Sequence, residues 1–552
     1  MIVSTPSTMP DLPLSIRSIL EHAVRAHPRK GIVSRDGLGI VRMSYADLAK
    51  RVAKLAHALR KCGVQPGDRV ASFAWNGHRH LELYYAVPMI GAVLHTVNIR
   101  LFPNQVAELL THAQDRMVFY DVSLTSAVHA FRALQPDVER VFVSMGETDQ
   151  RLDGALDYET LVGREAESYA WPEIDERAGA ILCYTSATTG DPKGVLFSHR
   201  STYLHALAAG LPEFLGGKER DRIMPIVPMF HVNAWGFPFA TPLMGADLIM
   251  PMERLDPIGV IELCRDEGVT YAAGVPTVWM GVRDHLQAQG ERLPLLKRVI
   301  IGGSPMPKSL SDDLEKLGIE AIHAWGMTEM SPLGTVSSST SELDDDPELQ
   351  RKERYKAGRF SPMVEWRIVD EHGADVPADG ISRGELLVRG HTVTQSYYRN
   401  EAATAIAFEP DGWFHTGDIV TVDQFGYLDI VDRVKDFIKS GGEWISSVEL
   451  ENAIMSHASV REACAFGLPH PKWQERPVAA VVLREGKTLT QAELLAFLGQ
   501  QLAKWQIPDR ILFLDSIPRT GVGKFLKREL RARYERLFID EPEQFDHGHA
   551  NR

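Results

Sequence analysis

Hydrophobic positions along the chain first fall into a helical stripe. Between residues 46 and 62, Leu48, Val52, Leu55, Ala56 and Leu59 recur at three- and four-residue spacing, and Gly63 supplies a stop. An apolar run over 69–75 then predicts a buried strand, a second helix is predicted over 81–90, and a second strand over 117–121. The alternation resumes near residue 180 with a strand over 180–183, a helix over 201–210 and a strand over 297–301 that ends in Gly302-Gly303-Ser304. Strand–helix alternation of this kind predicts layered α/β sheets with helices on both faces, whose ligands sit at the carboxyl ends of the strands.

From about residue 358 the texture changes to short alternating segments, 365–369 and 384–389, divided by Gly, Asp and Pro; this predicts a small β-rich unit. Beyond Asp432 the chain turns charged and then glycine-rich. Helices over 447–455 and 491–504 and a strand over 478–483 then predict a compact α+β segment. The expected fold class is α/β. A large N-terminal domain spans 1–432, with α/β subdomains at about 1–180 and 181–357 and a small β-barrel-like unit at 358–432. The boundary falls at 433–438, a small α+β domain at 439–538 and a polar tail at 539–552.

Residues 223–246 carry no Asp, Glu, Lys or Arg, a gap of about 24 residues and long enough to span a bilayer. Pro225, Pro228, Pro238 and Pro242, with His231 and Asn233, would leave backbone and side-chain polar groups unpaired in lipid, so the gap reads as the wall of an interior pocket. No integral membrane segment is expected. With 552 residues and a net charge of −13 lacking any basic block, the chain has room for several domains but no electrostatic grip on nucleic acid. Its four scattered cysteines form no Cys-x-x-Cys pair, and residues 1–13 lack the basic and apolar regions of a signal peptide; a cytoplasmic protein is expected.

The densest chemistry lies in Tyr184–Gly194, Tyr-Thr-Ser-Ala-Thr-Thr-Gly-Asp-Pro-Lys-Gly, directly after a predicted strand. Thr185, Ser186, Thr188 and Thr189 offer hydroxyls, Gly190 and Gly194 let backbone N–H groups converge, and Lys193 adds a cation. A polyphosphate fits such a loop, although the composition also suits a surface turn. Pro192 before Lys193 and glycine after it depart from the Walker A pattern.

Further motifs follow in fixed order: Pro228-Met229-Phe230-His231, Trp325-Gly326-Met327-Thr328-Glu329, Gly412-Trp413-Phe414-His415-Thr416-Gly417-Asp418, Asp432-Arg433-Val434-Lys435-Asp436 and Pro518-Arg519-Thr520-Gly521-Val522-Gly523-Lys524. Together with the 184–194 loop this series resembles the adenylate-forming superfamily, and nearly the whole chain takes part. Met229–Gly236, His323–Met327, Lys439–Ser447 and His470–Pro477 most resemble the fatty-acyl-CoA synthetase branch, with methylmercaptopropionate-CoA ligases nearest.

The resemblance implies an acid–CoA ligase acting on a small-to-medium hydrophobic carboxylic acid, such as a medium-chain fatty acid or a 3-methylmercaptopropionate-like acid. ATP and coenzyme A are implied as co-substrates, Mg²⁺ as the metal, and a homodimer as the assembly. It also implies that 439–538 is a mobile lid with Lys435 as its hinge. The alternatives are an adenylating enzyme that delivers its acyl group to a carrier protein or amine, and a silent acyl- or nucleotide-binding relative.

By the same resemblance, residues 185–190 with Lys193 take the β- and γ-phosphates, Ala187 standing where most relatives have glycine. Thr185 and Glu329 are implied as metal ligands, and Lys524, Glu329 and His231 as catalytic. Gly302, Gly303, Ser304, Ala324 and Trp325 are implied around the base, and His323, Gly326 and Thr328 as further ATP/AMP-binding residues. Asp418 and Arg433 are implied at the ribose, and Lys439 near the nucleotide. Ser440, Gly441, Gly442, Glu443, Trp444 and Glu475 fall to coenzyme A. His231, Val232, Trp235, Gly236, Gly303, Met330, Pro332, Leu333 and Gly334 fall to the acyl pocket. By residue type alone Glu329 also suits a helix cap, His231 and Trp325 suit core positions, and Gly441-Gly442 suits an ordinary turn.

Overall fold

Ser44 opens the helix Tyr45–Lys61 through a capping box: its hydroxyl accepts from the Asp47 N–H at 3.1 Å while the Asp47 carboxylate accepts from the Ser44 N–H at 3.2 Å. The predicted stripe, Leu48 to Leu59, is its buried face, packed on the helix His78–Met89 that carries Tyr84 and Tyr85. Gly63 follows at φ +81°, the left-handed stop that glycine reaches without a Cβ clash. The computed structural model describes residues 7–37, 39–147, 151–185, 192–440, 443–520 and 524–540.

Two large sheets form the N-terminal part. One has seven strands in the order Leu156–Asp157, Val141–Met145, Asp115–Asp121, Arg69–Phe73, Val93–Thr96, Gly179–Tyr184, Gly194–Ser198, parallel except for the last. The other has nine, with Arg222–Pro225, Tyr271–Gly274, Arg298–Gly302 and Glu320–Gly326 as its parallel centre.

The expected division at 180/181 does not follow these sheets. Gly31–Asp36 pairs in parallel with Asp247–Met250, which puts an early strand into the nine-stranded sheet. The hairpin Gly179–Tyr184 and Gly194–Ser198 instead closes the edge of the seven-stranded one. Both pairings join segments far apart in sequence or turn back antiparallel, so hydrophobic periodicity alone gave no sign of them.

Val364–Val369, Gly384–Gly390, Phe414–Val422 and Leu428–Arg433 form the expected β-rich unit as a four-stranded antiparallel sheet. A last sheet has five strands. Ile438–Ser440, Glu443–Ile445, Val460–His470 and Gln474–Leu483 are antiparallel neighbours, and Arg510–Phe513 is added in parallel. The helix Ser447–Met455 falls where the sequence predicts it, and Gln491–Leu498 stops six residues short of the predicted end. Of the predicted tail, residues 539 and 540 lie in the helix Leu537–Asp540, and 541–552 lie outside the described residues. Among the described residues, no helix is long and apolar enough to cross a membrane.

Candidate active site

Three of the four sheets and the segment after the fourth converge on one cavity of 480 Å³. Thr185 and Lys193 reach it from the seven-stranded sheet, and Gly302, Gly303 and Ala324–Glu329 from the carboxyl ends of the nine-stranded one. Thr416, Gly417 and Arg433 come from the β-rich unit, and Lys524 from the C-terminal unit. A smaller cavity of 190 Å³ shares Gly303, Ala324, Trp325, Arg433 and Lys524 with it and adds Ser304, His323 and Asp418.

The hairpin sets the ends of the 184–194 segment side by side. Thr185 N–H donates to the Lys193 carbonyl at 2.9 Å, and the Lys193 N–H returns a bond to the Thr185 hydroxyl at 3.1 Å. Ser186, Ala187, Thr188, Thr189 and Gly190 lie outside the described residues.

Backbone approach explains the glycines at the strand ends. A Cβ on Gly302 would stand 2.5 Å from the Ala324 carbonyl oxygen and 3.3 Å from Cη2 of Trp235. The Trp235 indole therefore lies across the end of Arg298–Gly302, with Leu215 and Ile300 also lining the cavity on its apolar side.

Trp235 is presented by an unusual backbone. Val232, Asn233, Ala234, Trp235 and Gly236 all have positive φ, 44°, 57°, 47°, 54° and 79°, forming one left-handed turn. Such a turn costs roughly 1–2 kcal/mol for each L-residue, so the surroundings must hold it. The Asn233 amide oxygen accepts from the Tyr84 hydroxyl at 3.3 Å and from Cys183 Sγ at 3.2 Å. Gly236 sits over the His205 ring, where a Cβ would come within 2.5 Å, and His205 Nε2 accepts from the Leu333 N–H at 3.2 Å. His205 thus ties both sides of the apolar wall together.

His231 precedes this turn and lines the cavity. Loss of water pushes its imidazole down to about 3, with the charges of Lys524 and Arg100 adding to the shift, so the ring is neutral at ordinary pH. The Lys524 ammonium is pushed down to about 8, first by burial and then by Arg433 and Lys435, while Asp418 and Glu329 act the other way. Its N–H donates to the Thr520 hydroxyl at 3.1 Å, Thr520 N–H donates to its carbonyl at 2.7 Å, and its side chain lines the cavity. Gly521 and Gly523 lie outside the described residues.

Asp418 is 2% exposed and already engaged. Arg433 Nε stands 2.9 Å from one carboxylate oxygen, and the Trp325 indole N–H donates to the other at 2.9 Å. Asp418 and Arg433 therefore present themselves to a ligand as a pair. Trp325 has a second duty that its residue type did not reveal: it orients Asp418, with Gly334 packed so closely that a Cβ there would stand 2.6 Å from the ring. Glu329 is 6% exposed, and its carboxylate accepts from the Tyr397 hydroxyl at 2.8 Å.

Of the residues expected at the acyl pocket, Val232, Trp235, Gly303, Pro332 and Leu333 line the main cavity, with Gly326 and Thr328 from the expected nucleotide set; Lys435, expected as the hinge, also lines it. Met330, Gly236 and Gly334 stand behind the wall: Met330 is fully buried and packs at Gly334. His323 anchors itself on the Lys356 carbonyl at 3.1 Å, and burial lowers its imidazole pKa.

Among the described residues, neither the expected coenzyme A residues nor Lys439, expected near the nucleotide, line these two cavities. Lys439 and Ser440 lie on Ile438–Ser440, Glu443 and Trp444 on Glu443–Ile445, and Glu475 accepts from the Lys439 N–H at 2.9 Å. Ser440 accepts from Arg476 at 2.9 Å, and the Lys439 ammonium lies 4.7 Å over the Trp444 ring. Gly441 and Gly442 lie outside the described residues.

Sequence reasoning missed Tyr397, which belongs to no motif. It also missed the ionic ties around the 433–438 segment. Lys527 meets Glu451 at 2.9 Å, Ser447 N–H donates to Asp432 at 2.6 Å, and Arg531 pairs with Asp436 at 3.0 Å. Only the recurrence of acidic residues before 437 and basic ones after 524 hinted at them.

A cleft at strand carboxyl ends, closed by a lysine from a small C-terminal unit, is where α/β enzymes place their ligand sites. The chain matches the AMP-binding enzyme family over residues 20–398 and the AMP-binding enzyme C-terminal domain over 449–524, and it belongs to that family. It is 46% identical to a long-chain-fatty-acid–CoA ligase of Thermus thermophilus, covering 97% of this chain and 98% of the relative. It is 44% identical to the 3-methylmercaptopropionyl-CoA ligase of Ruegeria lacuscaerulensis, covering 95% and 98%. Among solved structures, ATP-bound MatB from Rhodopseudomonas palustris superposes with a TM-score of 0.83 at 26% identity, covering 96% of this chain and 100% of that one. Its apo form gives 0.72.

Proposed function

We propose that the protein is an AMP-forming acid–CoA ligase for a small-to-medium hydrophobic carboxylic acid. The observation that carries this reading is the placement of Lys524 in one cavity with His231, Glu329 and Thr185, beside an apolar recess lined by Trp235, Leu215, Ile300 and Leu333.

A carboxylate is a poor electrophile, so the first step activates it. A carboxylate oxygen attacks the α-phosphorus of ATP, the bond to pyrophosphate breaks, and an acyl-adenylate forms. An anion approaches a polyanion in this step, and cations must be in place where charge grows. Lys524 supplies one at the attacking oxygen and α-phosphate, and Lys193 another at the leaving phosphates. Neutral His231 donates a hydrogen bond to the acid without adding charge. Asp418 with Arg433 takes the ribose hydroxyls, and the bare backbone at Gly302 and Gly303 admits the base. A hydroxyl and a buried carboxylate are hard oxygen donors of the kind Mg²⁺ prefers, so Thr185 and Glu329 would hold it. Bound there, it would neutralise charge on the leaving pyrophosphate.

In the second step the coenzyme A thiolate attacks the acyl carbon and AMP leaves. The segment of Ser440, Glu443 and Trp444 lies away from the cavity in this pose, so the reading requires residues 439–538 to act as a lid that turns about Lys435, withdrawing Lys524 as the segment enters. The substrate range, between the fatty acids and the 3-methylmercaptopropionate of the relatives, follows the apolar recess. Cytoplasmic residence is favoured by four free cysteines, three of them buried. The homodimer is carried by family likeness and is tested by light scattering.

Pyrophosphate, AMP and thioester are measured with a panel of acids, with and without coenzyme A. Thioester and AMP in equal amounts are expected. Adenylate without thioester would assign another acceptor, and no pyrophosphate with any acid would overturn the reading.

A further inference from the structure

Tyr397 lies in the segment after the strand Gly384–Gly390, 5% exposed and on the cavity wall. Its N–H donates to the Thr404 hydroxyl at 3.0 Å and its ring packs against Phe408 at 5.7 Å, so the side chain has a fixed base. The ring then makes two contacts of opposite charge. Its hydroxyl donates to Glu329 Oε1 at 2.8 Å, and the Lys193 ammonium stands 4.8 Å from its centroid. The same segment grips Glu329 a second time, because Thr394 N–H donates to the Glu329 carbonyl at 2.7 Å.

We propose that Tyr397 is a positioning residue for the phosphate and metal end of the site, holding Glu329 by its hydroxyl and Lys193 by its π-face. The proposal rests on the ligase reading above, which places Glu329 at the metal and Lys193 at the phosphates. A lysine and a glutamate sharing one water-poor cavity attract each other strongly, and a direct ion pair would occupy the groups that phosphate and metal need. The tyrosine gives each charge a partner without joining them. A hydroxyl bonded to a carboxylate is a charge-assisted bond, and a cation over a phenol ring is held by the ring quadrupole, so one side chain fixes the position of both groups.

The two contacts separate by substitution. Tyr397→Phe removes the hydroxyl and keeps the ring; Tyr397→Leu removes both. Mn²⁺ binding to the full-length protein with a non-hydrolysable ATP analogue is read by electron paramagnetic resonance, and ATP affinity in EDTA by calorimetry. Tyr397→Phe is expected to weaken Mn²⁺ binding about tenfold and leave metal-free ATP affinity unchanged, whereas Tyr397→Leu weakens metal-free ATP affinity about threefold as well. Combined with Glu329→Gln, Tyr397→Phe should add no further loss of Mn²⁺ affinity, because the tyrosine acts through that carboxylate.

A wild-type protein that binds no nucleotide would sink the ligase reading itself. Wild-type binding with an unchanged Tyr397→Phe, an additive loss in the double variant, or a Tyr397→Phe chain that fails to fold would each overturn the positioning role alone.

Discussion

Lys524 offers the most demanding test, because the proposed mechanism requires its charge and the cavity makes that charge expensive. Its ammonium falls from an ordinary 10.5 to about 8 in the cavity, a difference of about 2.5 pH units. At 1.36 kcal/mol per unit, holding the charged form there costs about 3 kcal/mol before any anion arrives. The folded pKa of this cationic group is depressed, so the penalty is fully present below pH 8 and relieved between about 8 and 10.5, where the unfolded chain still binds the proton.

In the proposed mechanism adenylation uses the charged form, so kcat/KM for ATP, which reports the free enzyme, should fall tenfold per unit above about pH 8. His231, at about 3, contributes no limb in this range. Pyrophosphate exchange measured from pH 6 to 10 is the assay, run beside thioester formation from preformed adenylate. In the proposed mechanism that second reaction does not use Lys524, and a thiol nucleophile favours high pH, so its rate should not fall. Lys524→Arg stays charged throughout and should be slower but flat. A wild-type profile without the alkaline fall, or the same fall in the arginine variant, would refute the argument.

Gly302→Ala places a Cβ 2.5 Å from the Ala324 carbonyl and 3.3 Å from Trp235. It should raise the KM for ATP and lower stability by about 1–3 kcal/mol in a urea melt. Asn233→Ala removes the acceptor that Tyr84 and Cys183 use, and should lower stability by about 1–3 kcal/mol while changing the order of preference in an acid panel; an unchanged order would detach the turn from specificity. Asp418→Asn leaves the Arg433 guanidinium without its carboxylate and should weaken ATP binding at least about tenfold by calorimetry, with little effect on acid chain-length preference.

Local signals carried much of this structure into the sequence. The stripe from Leu48 to Leu59 is a buried helix face, and Gly302-Gly303 do end a strand at the cavity, since periodicity and glycine each report on a few neighbouring residues. The placement of Gly31–Asp36 beside Asp247–Met250 was illegible because parallel pairing leaves no local mark. The left-handed turn was equally hidden: Asn233 and Gly236 tolerate it, but Val232, Ala234 and Trp235 disfavour it, and tertiary contacts decide. Tyr397 illustrates the same limit at the site, since its two partners lie 68 residues and about 200 residues earlier in the chain.

At positions 232–235 the backbone follows the mirror image of an ordinary helix, so the chain there is built from residues of the unsuitable hand. A D-alanine introduced at Ala234 by chemical ligation would fit its φ of 47° without strain, whereas a β-branched L-residue at that position would fit worst. This wall segment is thus the one least free to change its side chains. A shift in acid preference, by design or by drift, has more room at Leu215, Ile300 and Leu333, which border the same recess on ordinary backbone.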